Sequence, residues 1–333
     1  MSVGDIRRVT VVGIGAMGHG IAQVCATAGL DVVMMYRQQP SFEAALAKIR
    51  NNLELLVAAG HLTPADARAA LGRLSGAGDL AAAVRDADVV LESLPENLEL
   101  KQRFYGDLDA LCAEGTVLGS NTSSFRITDL GAATRRPGRV CGIHWVAPPY
   151  IVPVVEIIAG AETSAGTITL AKNFVRRLGK IPVQAKDVPG FVIVRLINAL
   201  YNEAMALVAE GVASPQDVDN AYRFGSGMLA ALLGPLRQAD LALNKNTTAS
   251  VLSYLYQKTG ETKFKPLPIL GEQIAAGRLG LAWGKGWYDY DGRDPESIRR
   301  WRDEKALALL ELVKREGLLV EDPLAAAGRG GKR

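Results

Sequence analysis

The chain has 333 residues, 48% of them hydrophobic and 22% charged, with a net charge of +3 at pH 7. This composition is typical of a globular protein, and the charge is too small to favour nucleic acid or an anionic membrane as main partner. No apolar stretch is long enough to span a bilayer, and no charged and apolar leader is recognisable. The three cysteines, Cys25, Cys112 and Cys141, predict neither a disulfide framework nor a metal site. We therefore expect a cytoplasmic protein without a bound metal.

Strand and helix patterns alternate over the first half of the chain. Strand patterns cover residues 6–13, 31–36, 86–94, 115–124, 138–145, 152–158 and 181–185. Helical periodicity covers residues 18–29, 41–59, 63–74 and 164–178, and a further helix is expected between the strands at 86–94 and 115–124. This alternation predicts an α/β fold, a Rossmann-type doubly wound sheet that is mainly parallel.

The pattern changes at residue 187. Pro189 suits the first turn of a helix, and residues 189–211 form one long helical pattern that ends at Gly211. Only helical patterns and Gly/Pro turns follow. The sequence therefore predicts a dinucleotide-binding domain at residues 1–187, an all-helical second domain for dimerisation and substrate binding at 188–320, and a flexible tail at 321–333.

The segment "GIGAMG" carries glycines at positions 13, 15 and 18, with Ala16 and Met17 before the last of them. It follows a predicted strand and opens a predicted helix, which is the context in which a glycine-rich loop binds a dinucleotide pyrophosphate. We expect Gly13, Gly15, Ala16, Met17 and Gly18 to contact the cofactor.

The end of the second predicted strand indicates which dinucleotide is bound. An acidic residue usually stands there and binds the ribose hydroxyls, but this chain has Tyr36 followed by Arg37. A guanidinium without a neighbouring carboxylate favours a 2′-phosphate. The sequence therefore favours NADP(H). NAD(H) remains possible if Arg37 is only a solvated loop residue.

His144 and Glu156 stand twelve residues apart in the apolar run "GIHWVAPPYIVPVVEII". A reductase needs a proton donor beside the carbon that receives hydride, and histidine suits this near neutral pH. A carboxylate on the second ring nitrogen would fix the tautomer, and a buried glutamate needs such a partner. We interpret the two residues as a proton-transfer pair.

Six segments together resemble the 3-hydroxyacyl-CoA dehydrogenase family, which includes relatives that act on gulonate, carnitine and similar hydroxy acids. They are "VVGIGAMGHGIAQVCATAGL", "SLPENLELK", "SNTSSF", "GIHWVAPPYIVPVVEII", "DVPGFVIVRL" and "GRLGLAWGKGWYDY". The resemblance extends from about residue 6 to 292. It implies a homodimer formed through the helical domain, with the active site between the two domains.

The same resemblance implies roles for individual residues. His144 and Glu156 match the family's catalytic dyad, and Ser123 matches a serine that hydrogen-bonds the substrate oxygen. Glu96, Lys101 and Asn121 match positions on the nicotinamide side of the cofactor.

Two departures from the family pattern concern the substrate pocket. Ala147 stands where the family commonly has asparagine after the catalytic histidine, and Val194 replaces the asparagine that commonly precedes arginine in "IVRL". We expect Trp145, Ala147, Val194 and Met228 to line a pocket for a small, fairly hydrophobic substrate.

Several functions remain open from the sequence. The chain is expected to reduce a C=O or C=N bond with a dinucleotide cofactor, which includes an imine reductase. A conventional NAD-dependent 3-hydroxyacyl-CoA or hydroxy-acid dehydrogenase is the alternative. A non-catalytic dinucleotide-binding protein is a remote one, since folding alone does not require Ser123, His144 and Glu156 together.

Overall fold

The computed structural model describes residues 2–324, which form two compact units divided between Ala199 and Leu200. The predicted domain boundary at residue 187 lies just after the last strand and stays a prediction. The predicted flexible tail lies outside the described residues from residue 325 onward.

The first unit contains an eight-stranded sheet, which confirms the predicted fold class. Its strands are β1 (Arg8–Val12), β2 (Asp31–Met35), β3 (Leu74–Ala77), β4 (Val89–Glu92), β5 (Val117–Ser120), β6 (Val140–Trp145), β7 (Val154–Ala159) and β8 (Ile181–Lys186). They lie in the order β3-β2-β1-β4-β5-β6-β7-β8. All neighbours are parallel except β6 and β7, which pair antiparallel.

Seven helices connect these strands. They are α1 (Gly18–Thr27), α2 (Gln39–Ala58), α3 (Pro64–Gly72), α4 (Leu80–Val84), α5 (Leu98–Leu111), α6 (Ile127–Gly131) and α7 (Ala165–Arg177). Separate clusters of buried side chains cover the two faces of the sheet. Burial on both faces explains why the strands are apolar runs rather than alternating patterns.

Chain order in the sheet reverses at β1, whose neighbours are β2 on one side and β4 on the other. Loops that follow adjacent parallel strands diverge at such a point and leave a crevice at the carboxyl edge, where dinucleotides bind. The glycine loop follows β1, and the loops after β4 and β5 carry Glu96, Asn121 and Ser123.

Three local predictions were wrong or incomplete. The short elements β3 and α4 were missed, because "LSGA" and "LAAAV" carry little periodicity over four or five residues. The helix predicted from Pro189 begins at Ile193 instead. A turn with left-handed residues at Gly190 and Phe191 precedes it, and a proline in an N1 position cannot be distinguished by sequence from one in such a turn.

The second unit is helical. The helix α8 (Ile193–Ala209) crosses the division, and α9 (Pro215–Phe224), α10 (Ser226–Leu233), α11 (Pro235–Ala242), α12 (Lys245–Thr259), α13 (Pro268–Ala275) and α14 (Pro295–Arg315) follow. Ser214 caps α9 by accepting a hydrogen bond from the backbone N–H of Asp217. No helix within residues 2–324 is both long and apolar enough to cross a membrane.

The second unit contains a buried ion pair between Asp240 and Lys245. Asp240 is 4% exposed, and its Oδ1 accepts a hydrogen bond from Lys245 Nζ at 2.7 Å. The backbone N–H groups of Trp287 and Tyr288 and the hydroxyl of Tyr290 also donate to this carboxylate. The segment "GKGWYDY" is thus wrapped around one buried carboxylate, and every oxygen of that carboxylate has a partner.

Candidate active site

The glycine loop after β1 has a backbone that side chains would obstruct. Gly13 has a φ of 85°, and a Cβ there would collide with the carbonyl group of Ser93. A Cβ at Gly18 would collide with the carbonyl group of Gly13, whereas Gly15 faces open space. Ala16 and Met17 lie between them and lead into α1. The loop therefore closes tightly against the sheet and exposes its backbone near Gly15, which fits a dinucleotide pyrophosphate.

A cavity of about 410 Å³ adjoins the glycine loop, and its lining includes Gly13, Gly15, Tyr36, Arg37, Ser41 and Lys48. The Tyr36 ring stacks on that of Phe42 at a centroid distance of 5.4 Å and closes one side. Two cationic side chains, Arg37 at the end of β2 and Lys48 on α2, share this cavity. The sequence identified Arg37 but missed Lys48, because Lys48 lies on the exposed face of a long helix, where lysines are common.

Lys101 belongs to a buried ion pair. Its side chain is 1% exposed, and Nζ donates to Glu92 Oε1 at 2.6 Å. Glu92 is fully buried and also accepts hydrogen bonds from Ser120 Oγ and the backbone N–H of Leu94. This carboxylate therefore joins β4, β5 and α5 at the carboxyl edge of the sheet. Glu92 is not among the residues predicted from the sequence, although a glutamate inside the apolar run "VVLE" was a usable signal.

Glu96 organises the loop after β5. Its Oε1 accepts hydrogen bonds from the backbone N–H groups of Ser123 and Ser124 and from the hydroxyls of Thr122 and Ser124. Its Oε2 lies 3.3 Å from Lys101 Nζ. Partial burial raises the pKa of Glu96, but these hydrogen bonds and the charge of Lys101 outweigh burial and lower it. Glu96 is therefore ionised, and its hydrogen bonds hold the segment that carries Ser123 in place.

His144 and Glu156 are directly opposite each other in the antiparallel pair β6 and β7. His144 Nδ1 lies 2.7 Å from Glu156 Oε2, and the two side chains are 8% and 0% exposed. The second oxygen, Oε1, accepts hydrogen bonds from the backbone N–H groups of Val192 and Ile193 at 2.9 and 3.0 Å. Burial raises the pKa of Glu156, but the bonds from His144, Ile193 and Val192 outweigh burial and lower it.

Asn121 connects the loop after β5 to the strand that carries His144. Its Oδ1 accepts a hydrogen bond from the backbone N–H of Trp145 at 2.8 Å, and its Nδ2 donates to Ser93 Oγ at 3.1 Å. The loops after β4 and β5 are therefore tied to the end of β6 beside the dyad. Ser123 lies two residues further along the same loop.

The four residues predicted to line the substrate pocket lie in different environments. Ala147 is exposed in the loop after β6, and Val194 lies in the first turn of α8, next to Ile193. Met228 is half-buried on α10 in the second unit. Trp145 is 2% exposed and packs in the core on the face of β6 opposite His144. This placement contradicts the prediction that the Trp145 side chain lines the pocket, since successive strand residues face opposite sides of a sheet.

Comparison with known proteins identifies the family. The domain described as "3-hydroxyacyl-CoA dehydrogenase, NAD binding domain" matches residues 8–188, and its "C-terminal domain" matches residues 190–290. A probable 3-hydroxybutyryl-CoA dehydrogenase of Bacillus subtilis is 36% identical over 287 residues, which are 86% of this chain and 98% of that protein.

Two further relatives match more of the chain. A 5-formyl-3-hydroxy-2-methylpyridine 4-carboxylate 5-dehydrogenase of Mesorhizobium japonicum is 33% identical over 310 residues, 93% of this chain and 99% of that protein. A crystal structure of a 3-hydroxyacyl-CoA dehydrogenase from Archaeoglobus fulgidus has a TM-score of 0.76 and 30% identity, and the match covers 94% and 99% of the two chains.

The chain belongs to the 3-hydroxyacyl-CoA dehydrogenase family, and the predicted resemblance is confirmed. It is an oxidoreductase with an NAD-binding domain of that family, so the prediction of a dinucleotide-dependent enzyme is also confirmed.

Proposed function

We propose that this protein transfers hydride between a nicotinamide dinucleotide and a C=O or C=N carbon of a small, fairly hydrophobic substrate. His144 is its general acid and base, and Glu156 orients that histidine. The observation that carries this proposal is the 2.7 Å contact between Glu156 Oε2 and His144 Nδ1. It leaves the second ring nitrogen of His144 as the group that exchanges a proton with substrate.

The chemistry follows from the protonation of the two side chains. The lowered pKa of Glu156 keeps its carboxylate ionised, so Oε2 accepts a hydrogen bond from His144 Nδ1–H. In the neutral imidazole this tautomer leaves the lone pair on Nε2. During oxidation Nε2 accepts the proton of the substrate hydroxyl, and during reduction it returns that proton. A dinucleotide held at the glycine loop would supply the hydride acceptor or donor. Ser123, held by Glu96, hydrogen-bonds the substrate oxygen.

The favoured cofactor is NADP(H), and NAD(H) is the alternative. The glycine loop would hold the pyrophosphate. Arg37 and Lys48 line the adjoining cavity, where Tyr36 takes the place of the usual acidic residue. A carboxylate there would repel a 2′-phosphate, while two cations and the hydroxyl of Ser41 would attract it. Glu96, Lys101 and Asn121 support the nicotinamide side, and Lys101 acts through its carboxylate partners because it is buried.

The substrate pocket is proposed to be less polar than usual for the family. Ala147 follows His144 by three residues, and Val194 adjoins the Ile193 amide that binds Glu156. Ala147 is thus close to His144 in the chain, Val194 is next to a residue that binds Glu156, and both side chains are aliphatic. Names of relatives include 3-hydroxybutyryl-CoA and pyridine-carboxylate dehydrogenases, so acyl-CoA and hydroxy-acid substrates are the main alternative to hydrophobic ketones and imines.

A homodimer and a cytoplasmic location complete the proposal. None of the 17 residues of α8 is buried within the chain, although Ile197, Tyr201 and Met205 form an apolar stripe at four-residue spacing. Tyr201 is 54% and Met205 61% exposed. A helix with such a stripe is stable when another surface covers it. A second copy of this chain is the proposed cover.

The test is a matrix of initial rates with NADPH or NADH against acetoacetyl-CoA, a small keto acid and a hydrophobic cyclic imine. We expect turnover with at least one acceptor, and a loss of roughly 10²–10⁴-fold in His144→Gln with unchanged dinucleotide binding. Equal rates in the wild type and His144→Gln would refute the dyad. Turnover of the imine with NADPH would favour a reductase over a conventional acyl-CoA dehydrogenase.

The pocket proposal has its own test in the double variant Ala147→Asn with Val194→Asn. Restoring both amides should raise kcat/KM for acetoacetyl-CoA relative to the imine, because polar groups then stand beside the reacting oxygen. An unchanged ratio would show that these two positions do not determine the substrate class.

A further inference from the structure

The backbone of Phe191 is strained. Its φ is 45°, and no other non-glycine residue among residues 2–324 has a positive φ. Bulky side chains rarely adopt this left-handed conformation, which glycine adopts freely. Gly190 before it is also left-handed, with a φ of 75°. A strained conformation of this kind persists only where the surrounding structure compensates for it.

The strained turn directs two backbone amides at the dyad. The first N–H groups of a helix have no acceptor within the helix. Here the amides of Val192 and Ile193, the two residues after Phe191, both donate to Glu156 Oε1. The turn itself is closed by a bond from the N–H of Phe191 to the carbonyl of Val188 at 3.1 Å. The conformation at Phe191 therefore determines where α8 starts and where its free donors point.

The side chain of Phe191 reaches the other member of the dyad. It is 2% exposed, and its ring centroid lies 5.9 Å from that of His144 at an interplanar angle of 54°. A glycine would relieve the backbone but would leave His144 without this neighbour. The presence of phenylalanine where glycine is easier thus has a physical explanation.

We infer that Phe191 is a positioning residue that fixes both members of the dyad, Glu156 through the backbone of the turn and His144 through the ring. The inference rests on the proposed function, in which the dyad carries the proton. Among the described residues, the titratable group that contacts Glu156 is His144, and the other partners are the two amides. Loss of the two amide hydrogen bonds therefore leaves the negative charge of Glu156 less compensated. The pair of His144 and Glu156 then binds a proton at higher pH.

The experiment compares Phe191→Gly with Phe191→Ala. Neither variant has the ring, so their difference isolates the backbone. Both should lose kcat by about tenfold or more, since small displacements of catalytic groups have large effects. In Phe191→Ala the acid limb of the pH profile of kcat/KM should in addition move to higher pH. In Phe191→Gly this limb should lie at the same pH as in the wild type.

The control is the same pair of substitutions at Phe174, which is 1% exposed and lies within α7. The Phe174→Ala variant should be more stable than the Phe174→Gly variant, because glycine weakens a helix interior. At position 191 the order should invert. If Phe191→Ala is as stable as Phe191→Gly or more so, and their pH profiles coincide, Phe191 is an ordinary core residue and the inference fails.

A readout without turnover separates this inference from the proposed function. The chain has only three histidines, so the hydrogen-bonded Nδ1 proton of His144 can be assigned in NMR spectra by its absence from His144→Gln. Its signal should remain in Phe191→Gly and be shifted or lost in Phe191→Ala. An inactive wild type with this pattern would refute the proposed function alone, whereas identical signals in both variants would refute the positioning role.

Discussion

Glu156 and His144 are cross-strand partners in the only antiparallel pair of the sheet described at residues 2–324, and both oxygens of Glu156 are occupied. One oxygen binds the imidazole and the other binds the start of α8. Because β6 and β7 are antiparallel, residues twelve apart in sequence become direct neighbours. The same carboxylate therefore orients a proposed catalytic group and caps the helix that follows the sheet.

This relationship predicts a pH-dependent stability. The pKa of Glu156 is lowered in the folded state from an ordinary value of 4.5. Its contribution is therefore fully present above pH 4.5 and is lost as the pH falls through the lower, folded-state pKa. In Glu156→Gln the free energy of unfolding should be well below that of the wild type at pH 7, and the gap should narrow below pH 4.5. Urea titrations between pH 3 and 7 measure the difference in free energy of unfolding between the two proteins. A difference that does not change with pH would contradict the prediction.

The sheet and its loops were largely predictable, because apolar runs and glycine spacing are local signals. The glycine loop follows from glycine spacing, and the strand that carries His144 follows from an apolar run. Non-local consequences were not predictable. Nothing local indicates that Lys101 is buried against Glu92, since this depends on which face of α5 packs inward. The orientation of Trp145 was predictable, because the residue that follows His144 in a strand faces the opposite side of the sheet.

The buried pair of Glu92 and Lys101 gives a second prediction. Glu92→Gln removes the buried charge that compensates Lys101, although Glu96 remains 3.3 Å away. We expect a loss of about 3 kcal/mol in the free energy of unfolding. The control is Glu99→Gln on α5, the helix that carries Lys101. Glu99 is 79% exposed and pairs with Arg103, so this variant should change stability by less than about 0.5 kcal/mol. Chemical denaturation compares the two variants. Equal losses in the free energy of unfolding would show that the buried pair of Glu92 and Lys101 does not stabilise the fold.

Two glycines in the second unit give a third prediction. A Cβ at Gly286 would collide with the buried carboxylate of Asp240, whereas nothing lies within 4 Å of a Cβ at Gly271 on α13. Gly286→Ala should therefore lower the free energy of unfolding by about 1–3 kcal/mol. Gly271→Ala should raise it by about 0.5–1 kcal/mol, since alanine is the better helix former. Thermal unfolding of both variants tests this, and a neutral Gly286→Ala would mean that the turn around Asp240 can relax.

The proposed dimer gives a fourth prediction. Met205→Glu places a charge in the apolar stripe of α8, and burying that charge against a second copy would be costly. We expect sedimentation equilibrium to show a dimer for the wild type and a weakened dimer or monomer for this variant. Asn202→Glu, which adds the same charge at an exposed polar position of the helix, should leave the mass unchanged. A monomeric wild type would rule out the proposed assembly.

The cavity beside the glycine loop gives a fifth prediction, which concerns cofactor choice. Arg37→Ala should weaken NADPH binding by about tenfold or more, because a charge-assisted hydrogen bond to phosphate is lost, and should leave NADH binding nearly unchanged. Lys48→Ala should act in the same direction and more weakly, since lysine binds phosphate as a single point charge.

The measurement is the dissociation constant of NADPH, NADH and 2′,5′-ADP by calorimetry, with Arg50→Ala as control. Arg50 is exposed on α2 and does not line the cavity, so its variant accounts for the general loss of one positive charge. Added salt should weaken NADPH binding in the wild type more than in Arg37→Ala, since fewer charges remain to be screened. If the wild type binds NADH as tightly as NADPH, Tyr36 and Arg37 do not select the 2′-phosphate, and the enzyme uses NAD(H) without the usual ribose carboxylate.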